Sequence, residues 1–129
     1  MKHVRMGRMQ VRIMKVLWEK QSASAREITD ALGLEQAVAH STVQTLLRKL
    51  EAKGAVRHEK IDRTFVFHPT VDRRSVARGA TRELLERVFG GSAAGLVAHL
   101  LKEEKIPRKE LQEIRNLIDD YDARQKGRP

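Results

Sequence analysis

The chain contains no cysteine, which excludes disulfide staples, thiolate metal sites and thiol redox sensing. Aromatic residues make up only 4% of it, so any core must be filled by aliphatic side chains. No apolar run approaches the ~18 residues that span a bilayer. The basic start, Met1-Lys2-His3-Val4-Arg5-Met6-Gly7-Arg8, is not followed by an apolar signal core, and a cytoplasmic location without membrane insertion is expected. The cations are not gathered on one long amphipathic helix, as docking on anionic lipid requires. A Gly-rich phosphate loop and a nucleophile elbow are both missing, and no Ser, His and Asp set stands in recognisable context, which argues against an enzyme. The histidines, His3, His40, His58, His68 and His99, form no HxH, HxxH or HExxH pair and have no acidic residue at a matching ligand spacing. No metal and no other cofactor is expected.

What is present is positive charge. Lys and Arg number 26 against 17 Asp and Glu in 129 residues, a formal net charge of +9. The excess is uneven: residues 1–75 carry +7 and residues 76–129 carry +2. An anionic partner is therefore expected to meet the first part of the chain.

Periodicity divides that first part into three helices and a hairpin. Val11, Met14, Leu17 and Trp18 predict a helix from about Arg8 to Lys20, with Trp18 continuing the core stripe. Ser24 stands three residues before Glu27, the spacing of a capping box, and opens a short helix from about Ala25 to Leu32 that Gly33 ends. A linker, Leu34 to His40, leads to a third helix with Ser41 as its expected N-cap and Gly54 as its stop. Ala55 to Lys60 and Thr64 to His68 read as strands about an Ile61-Asp62-Arg63 turn, with Phe65 and Phe67 on one face and Pro69 closing the ladder. Helix, helix, helix, hairpin is the order of a winged helix-turn-helix.

The third helix is the most informative stretch. Val43, Leu46, Leu47 and Leu50 form an apolar face, while Thr42, Thr45, Arg48, Lys49 and the nearby Gln44 are short, polar or cationic. Thr and Gln can bond base edges and Arg can hold phosphates, the make-up of a helix that lies in a DNA groove. Ser41 can contact DNA, or it can cap the helix together with Gln44 in S-x-x-Q spacing. Arg26 has the positive end of the second helix beside it and can help bind a phosphate, or can stand as a plain surface residue. Arg57, His58, Lys60 and Arg63 give the hairpin the charge of a wing that lies along a sugar-phosphate backbone.

The remainder changes character. Val76, Ala80, Leu84, Leu85, Val88 and Phe89 predict a long helix from about Asp72, broken at Gly90-Gly91. Ser92 can cap a helix carrying Leu96, Val97, Leu100 and Leu101, and Pro107 suits the start of a last one carrying Leu111, Ile114, Leu117, Ile118 and Tyr121. Three stripes without a sheet to cover them make a poor independent domain, so their expected cover is the same segment of a second copy. The alternative is that they fold back on the first domain. The expected organisation is a DNA-binding domain over 1–71, a helical dimerisation domain over 72–121 and a flexible tail over 122–129. The fold class is mostly α with a small β-hairpin wing.

The order and spacing of these segments resemble the penicillinase repressor family of bacterial regulators, the BlaI/MecI type. The resemblance rests on Val16-Leu17-Trp18, on Ser24-Ala25-Arg26-Glu27-Ile28, and on the stretch from Ser41 to Leu50 with Lys53-Gly54. It continues through the stretch from Leu84 to Ser92, Leu96-Val97 and Glu103-Glu104-Lys105. It implies a homodimeric repressor that occupies a pseudo-palindromic double-stranded operator, often with TACA/TGTA half-sites. By position it implies base reading by Ser41, Thr42, Gln44 and Thr45, and phosphate contact by Arg48 and the wing cations, with Arg26, Arg57, Lys60 and Arg63 completing the expected phosphate set. Dimerisation falls to Leu84, Leu85, Val88, Phe89, Leu96, Leu100, Leu111, Ile114, Leu117 and Ile118.

Two departures stand out. In the resistance repressors a membrane sensor-protease relay leads to cleavage within an Asn-Phe pair of the dimerisation arm, and here that position reads His99-Leu100. The copper-responsive branch carries paired cysteines near its C-terminus, and this chain has none. The competing reading is a nucleoid-type protein that binds DNA without regard to sequence, which a charge of +9 also permits.

Overall fold

The computed structural model describes residues 5–127, so His3, the first four residues of the expected first domain and the last two of the expected tail lie outside the described residues. In chain order the elements are α1 (Arg8–Lys20), β1 (Ala23–Ser24), α2 (Ala25–Leu32), α3 (His40–Ala52), β2 (Val56–Ile61), β3 (Thr64–Pro69), α4 (Arg73–Phe89), α5 (Ala93–Glu103) and α6 (Arg108–Lys126). The chain divides into two compact units between Leu84 and Leu85, inside α4. The division falls later than residue 71, so the first turns of α4 belong to the same unit as the hairpin.

The first unit contains the core. Ile13, Met14, Val16 and Leu17 of α1, Ile28 and Leu32 of α2, and Val43, Leu47 and Leu50 of α3 pack with Ala23, Ala55, Val56 and Phe67. Each large aliphatic side chain withdrawn from water in this way contributes about 1.5–3 kcal/mol. Trp18 is half-buried against that core, and its indole N–H donates to the Val71 carbonyl at 2.8 Å. The guanidinium of Arg73 lies 5.6 Å from the ring centroid, so Trp18 holds the entry into α4. Its core role matches the stripe read from the sequence.

Local chemistry sets the helix ends. The Ser24–Glu27 capping box forms: the Glu27 N–H donates to Ser24 Oγ at 3.1 Å, and the Ser24 N–H donates to Glu27 Oε1 at 2.9 Å. Those bonds hold the Glu27 carboxyl below its ordinary pKa, the backbone bond most strongly. Gly54, at φ +80°, closes α3. Beyond it the Ala55 N–H donates to the Leu50 carbonyl and the Gly54 N–H to that of Glu51.

The sheet has three strands in the order β1-β3-β2, all pairs antiparallel. Ile61 pairs with Thr64, so the turn is the two-residue Asp62-Arg63 rather than three residues from Ile61. Both turn residues have positive φ, 49° and 67°, the type I′ geometry that matches the twist of a hairpin. The short β1, in register Ala23 to Phe67, is an addition to the expected hairpin and ties the start of α2 to the wing.

In the second unit, Gly90 and Gly91 have φ of 55° and 84° and end α4, and the Ser92 hydroxyl accepts from the Gly95 N–H to cap α5. The last helix runs through Lys126, past Tyr121 and into the segment expected as a tail. An Asp122–Lys126 pair one turn apart at 3.3 Å supports the extra turn. Neither α5 nor α6 contains a buried residue. No single helix among the described residues is long and apolar enough to cross a membrane.

Candidate nucleic-acid interface

The site is a groove between α3, the first turn of α2 and the hairpin. Arg26, His40, Gln44, Arg48, Glu51, His58, Arg63, Thr64 and Phe65 line it, over a floor of Ser24, Ala25, Leu47 and Phe67. Residues 44, 48 and 51 recur at helical spacing, so Gln44, Arg48 and Glu51 form one row along the flank of α3 that faces the wing. Arg26 enters because β1 anchors the start of α2 to β3, opposite Phe67 and Val66. Arg63 enters because the tight turn lifts it at the end of the hairpin.

The four polar residues expected to read bases therefore do not share one face. Two positions apart on a helix of 3.6 residues per turn, Thr42 and Gln44 project to opposite flanks, with Ser41 and Thr45 between them. All four are exposed. Only Gln44 lines the groove beside the wing. The Thr45 hydroxyl donates to the Ser41 carbonyl at 3.0 Å, which leaves its methyl and its oxygen lone pairs outward.

The expected N-cap role of Ser41 is corrected. The helix begins one residue earlier, at His40, with Ala39 in the cap position and no side-chain cap bond, so no Ser41–Gln44 capping box forms. The Thr42 and Val43 N–H groups donate to the Ala39 carbonyl, and the first turn closes through backbone bonds alone. His40 is held through Nδ1 at 2.9 Å from the Thr29 hydroxyl of α2. Freed from capping, the Ser41 and Gln44 side chains are available to a ligand.

Of the five cations expected on phosphates, Arg26, Arg48 and Arg63 come together in the groove. Lys60 pairs across the ladder with Phe65, on the strand face that also carries His58 and Phe67. Arg57 lies on the opposite face with Glu59 and His68, whose Nε2 meets Glu59 Oε1 at 2.9 Å. Neither Lys60 nor Arg57 lines the groove, and of the two only Lys60 lies on the sheet face that carries Phe65.

Four residues that line the groove are not among the contacts expected from the sequence: Glu51, His40, Thr64 and Phe65. His58 Nδ1 lies 2.7 Å from a Glu51 carboxylate oxygen, joining the end of α3 to the wing. The row at 44, 48 and 51 was a signal that could have found Glu51. Nothing in the sequence alone pairs residue 51 with residue 58.

The residues expected in dimerisation are partly or fully exposed. Val88, Leu117 and Ile118 are 66%, 67% and 58% exposed, and Leu84 and Leu100 each stand above 40%. Leu85, Phe89, Leu96, Leu111 and Ile114 are half-buried. Val76 and Ala80, earlier on α4 and within the first unit, line a hollow with Met6, Val11 and Lys53 of the same unit. No group of side chains suited to a metal ion occurs among the described residues.

The model of the penicillinase repressor family matches residues 6–120. The penicillinase repressor of Bacillus licheniformis is 26% identical over 117 residues, 91% of this chain and 91% of that one. The solution structure of the DNA-binding domain of the repressor BlaI is 31% identical, covers 57% of this chain and 90% of that one, and superposes with a TM-score of 0.52. The monomeric form of Bacillus licheniformis BlaI in complex with the blaP half-operator gives the same coverage and identity with a TM-score of 0.50.

Proposed function

The chain belongs to the penicillinase repressor family, and from that membership we propose that it is a homodimeric transcriptional repressor whose winged helices occupy a pseudo-palindromic operator. The family is one of repressors, not enzymes. One observation carries the reading: Arg26, Arg48 and Arg63 converge on a groove whose helical wall presents Gln44. Cations from three separate segments around an amide-bearing helix suit a duplex, with phosphates neutralised by arginine and bases met by Gln44, Ser41, Thr42 and Thr45. The solved relative bound to a half-operator supports the same use of this unit.

The second unit supports the dimer. Its leucines Leu100, Leu101 and Leu117, with Ile118, Val88 and Val97, stand 42–67% exposed, and a second copy would cover them. Two copies would set two recognition helices about 34 Å apart, one turn of the duplex, so that each half-site raises the effective concentration at the other. A protease relay acting at the position of the family's Asn-Phe pair would meet His99-Leu100, both exposed on α5.

The test is a footprint on the duplex upstream of the coding region, followed by competition between the protected fragment and random duplex over a salt series. Binding to both should weaken as salt rises, while a preference of ~10³-fold or more for the protected site persists. Equal affinity for both at every salt concentration would identify a sequence-indifferent DNA-packaging protein and sink the repressor reading.

A further inference from the structure

Phe65 is 53% exposed, whereas Phe67, two residues on and on the same strand face, is buried. A phenyl ring left half in water forgoes burial that it could have found inside, and this one stands among cations: it lines the same groove as Arg26, Gln44, Arg48 and Arg63. Its neighbours hold it in place. His58 meets the ring edge to face with centroids 5.0 Å apart, and Lys60 Nζ lies 6.0 Å from the ring centroid. His58 is itself fixed by Glu51 at 2.7 Å. A ring already held loses little rotamer freedom when it docks.

A duplex offers apolar surface to such a ring in two forms, the deoxyribose rings between phosphates and the thymine C5-methyl groups in the major groove. Phe65 lies on the wing, two residues after Arg63 and directly across the ladder from Lys60. Where those cations hold phosphates, the next group along the strand is a sugar. We propose that Phe65 packs its ring on a deoxyribose of the operator backbone, an apolar contact that adds affinity and fixes the position of the wing without reading a base. The inference rests on the repressor reading above and adds a residue to it.

A sugar contact displaces no counterion, and this gives it a signature distinct from that of its cationic neighbours. The experiment is fluorescence anisotropy of the full chain on a labelled duplex carrying the footprinted site and on a random duplex, across a salt series. Phe65→Ala should weaken both about tenfold at every salt concentration and leave the slope of log affinity against log salt unchanged. Arg63→Ala should instead lower that slope by about one. Phe65→Leu, which keeps an apolar side chain, should recover part of the loss, and it guards against a hairpin disturbed by the smaller residue. Unchanged affinity in Phe65→Ala, or a changed slope, overturns the proposal. A loss confined to the operator and reproduced in the wild type by replacing one thymine with deoxyuridine overturns it in favour of a methyl contact. A wild-type chain that binds no duplex overturns the repressor reading as well, whereas normal wild-type binding with an indifferent Phe65→Ala overturns this inference alone.

Discussion

Glu51, in the last turn of α3, and His58, in the first half of β2, meet with both carboxylate oxygens 2.7 Å from the imidazole Nδ1. The contact joins the helix to the wing across seven residues of chain. His58 also touches Phe65 and Phe67, with ring centroids 5.0 and 5.5 Å away, so one imidazole links three elements of the groove wall.

Glu51 is the only acidic residue among those described as lining the groove, and its charge opposes the phosphates expected there. Glu51→Gln keeps an acceptor for His58 and removes that charge. Affinity for any duplex should rise about threefold at low salt, and the gain should fade as the screening length shortens. The Glu51 and His58 side chains are 35% and 37% exposed, so the melting temperature should move little. Anisotropy titrations at two salt concentrations check both effects, and weaker binding by the variant would show that Glu51 serves the interface rather than opposing it.

Gln44 and Arg48 adjoin each other on the groove-facing row, yet the chemistry of their side chains separates their roles. Gln44→Ala should relax the preference at one base pair by ~1–3 kcal/mol. Arg48→Ala should weaken operator and random duplex alike and lower the salt slope by about one. Selection of binding sites from a random pool by each variant reads the first effect, and a salt series reads the second. Equal loss on all sequences from both substitutions would remove Gln44 from the base readers.

The capping box at the start of α2 makes a prediction about stability. Ser24→Ala removes the acceptor for the Glu27 N–H and should cost ~1 kcal/mol. Glu27→Gln tests the other half. Bonding to Ser24 lowers the folded-state pKa of Glu27 below its unfolded value, so the ionised carboxylate contributes stability above the unfolded pKa. That contribution is lost as pH falls through the folded pKa. Denaturant melts should therefore show wild type above Glu27→Gln at neutral pH, with the gap closing in acid; a gap that persists in strong acid would assign the effect to something other than ionisation.

Much of this architecture was legible because local chemistry and the global fold agree. Ser24 and Glu27 announced a helix start that forms, and Gly54 marked a stop that needs positive φ. The alternation of Phe65 and Phe67 gave the sheet face correctly. Three features were not legible. Strand β1 is two residues long and shows no pattern; its pairing with β3 is a tertiary event, although it carries Arg26 to the site. Ser41 looked like a cap because its residue type favours one, yet α3 starts a residue earlier, where the loop from α2 delivers the chain at Ala39. Thr42 and Gln44 share polarity, but helical geometry sends them to opposite flanks.

The arm makes the last prediction. Leu117 and Ile118 are 67% and 58% exposed on α6, and neither α5 nor α6 buries a side chain. If the arm acted alone, Leu117→Glu would be one more surface substitution, worth within about 0.5 kcal/mol. If a second copy covers that face, the same change places an unpaired carboxylate in an apolar interface, at a cost of several kcal/mol. Sedimentation equilibrium should then show the wild type as a dimer and Leu117→Glu as a monomer at micromolar concentration. Operator affinity should fall by 10² or more, because each half-site would have to be bound on its own. The core of the first unit contains no residue of α5 or α6, so the variant's winged helix should keep its fold and its weak binding to a single half-site. A Leu117→Glu chain that still sediments with the wild type and binds the full operator as tightly would place the dimer contact elsewhere.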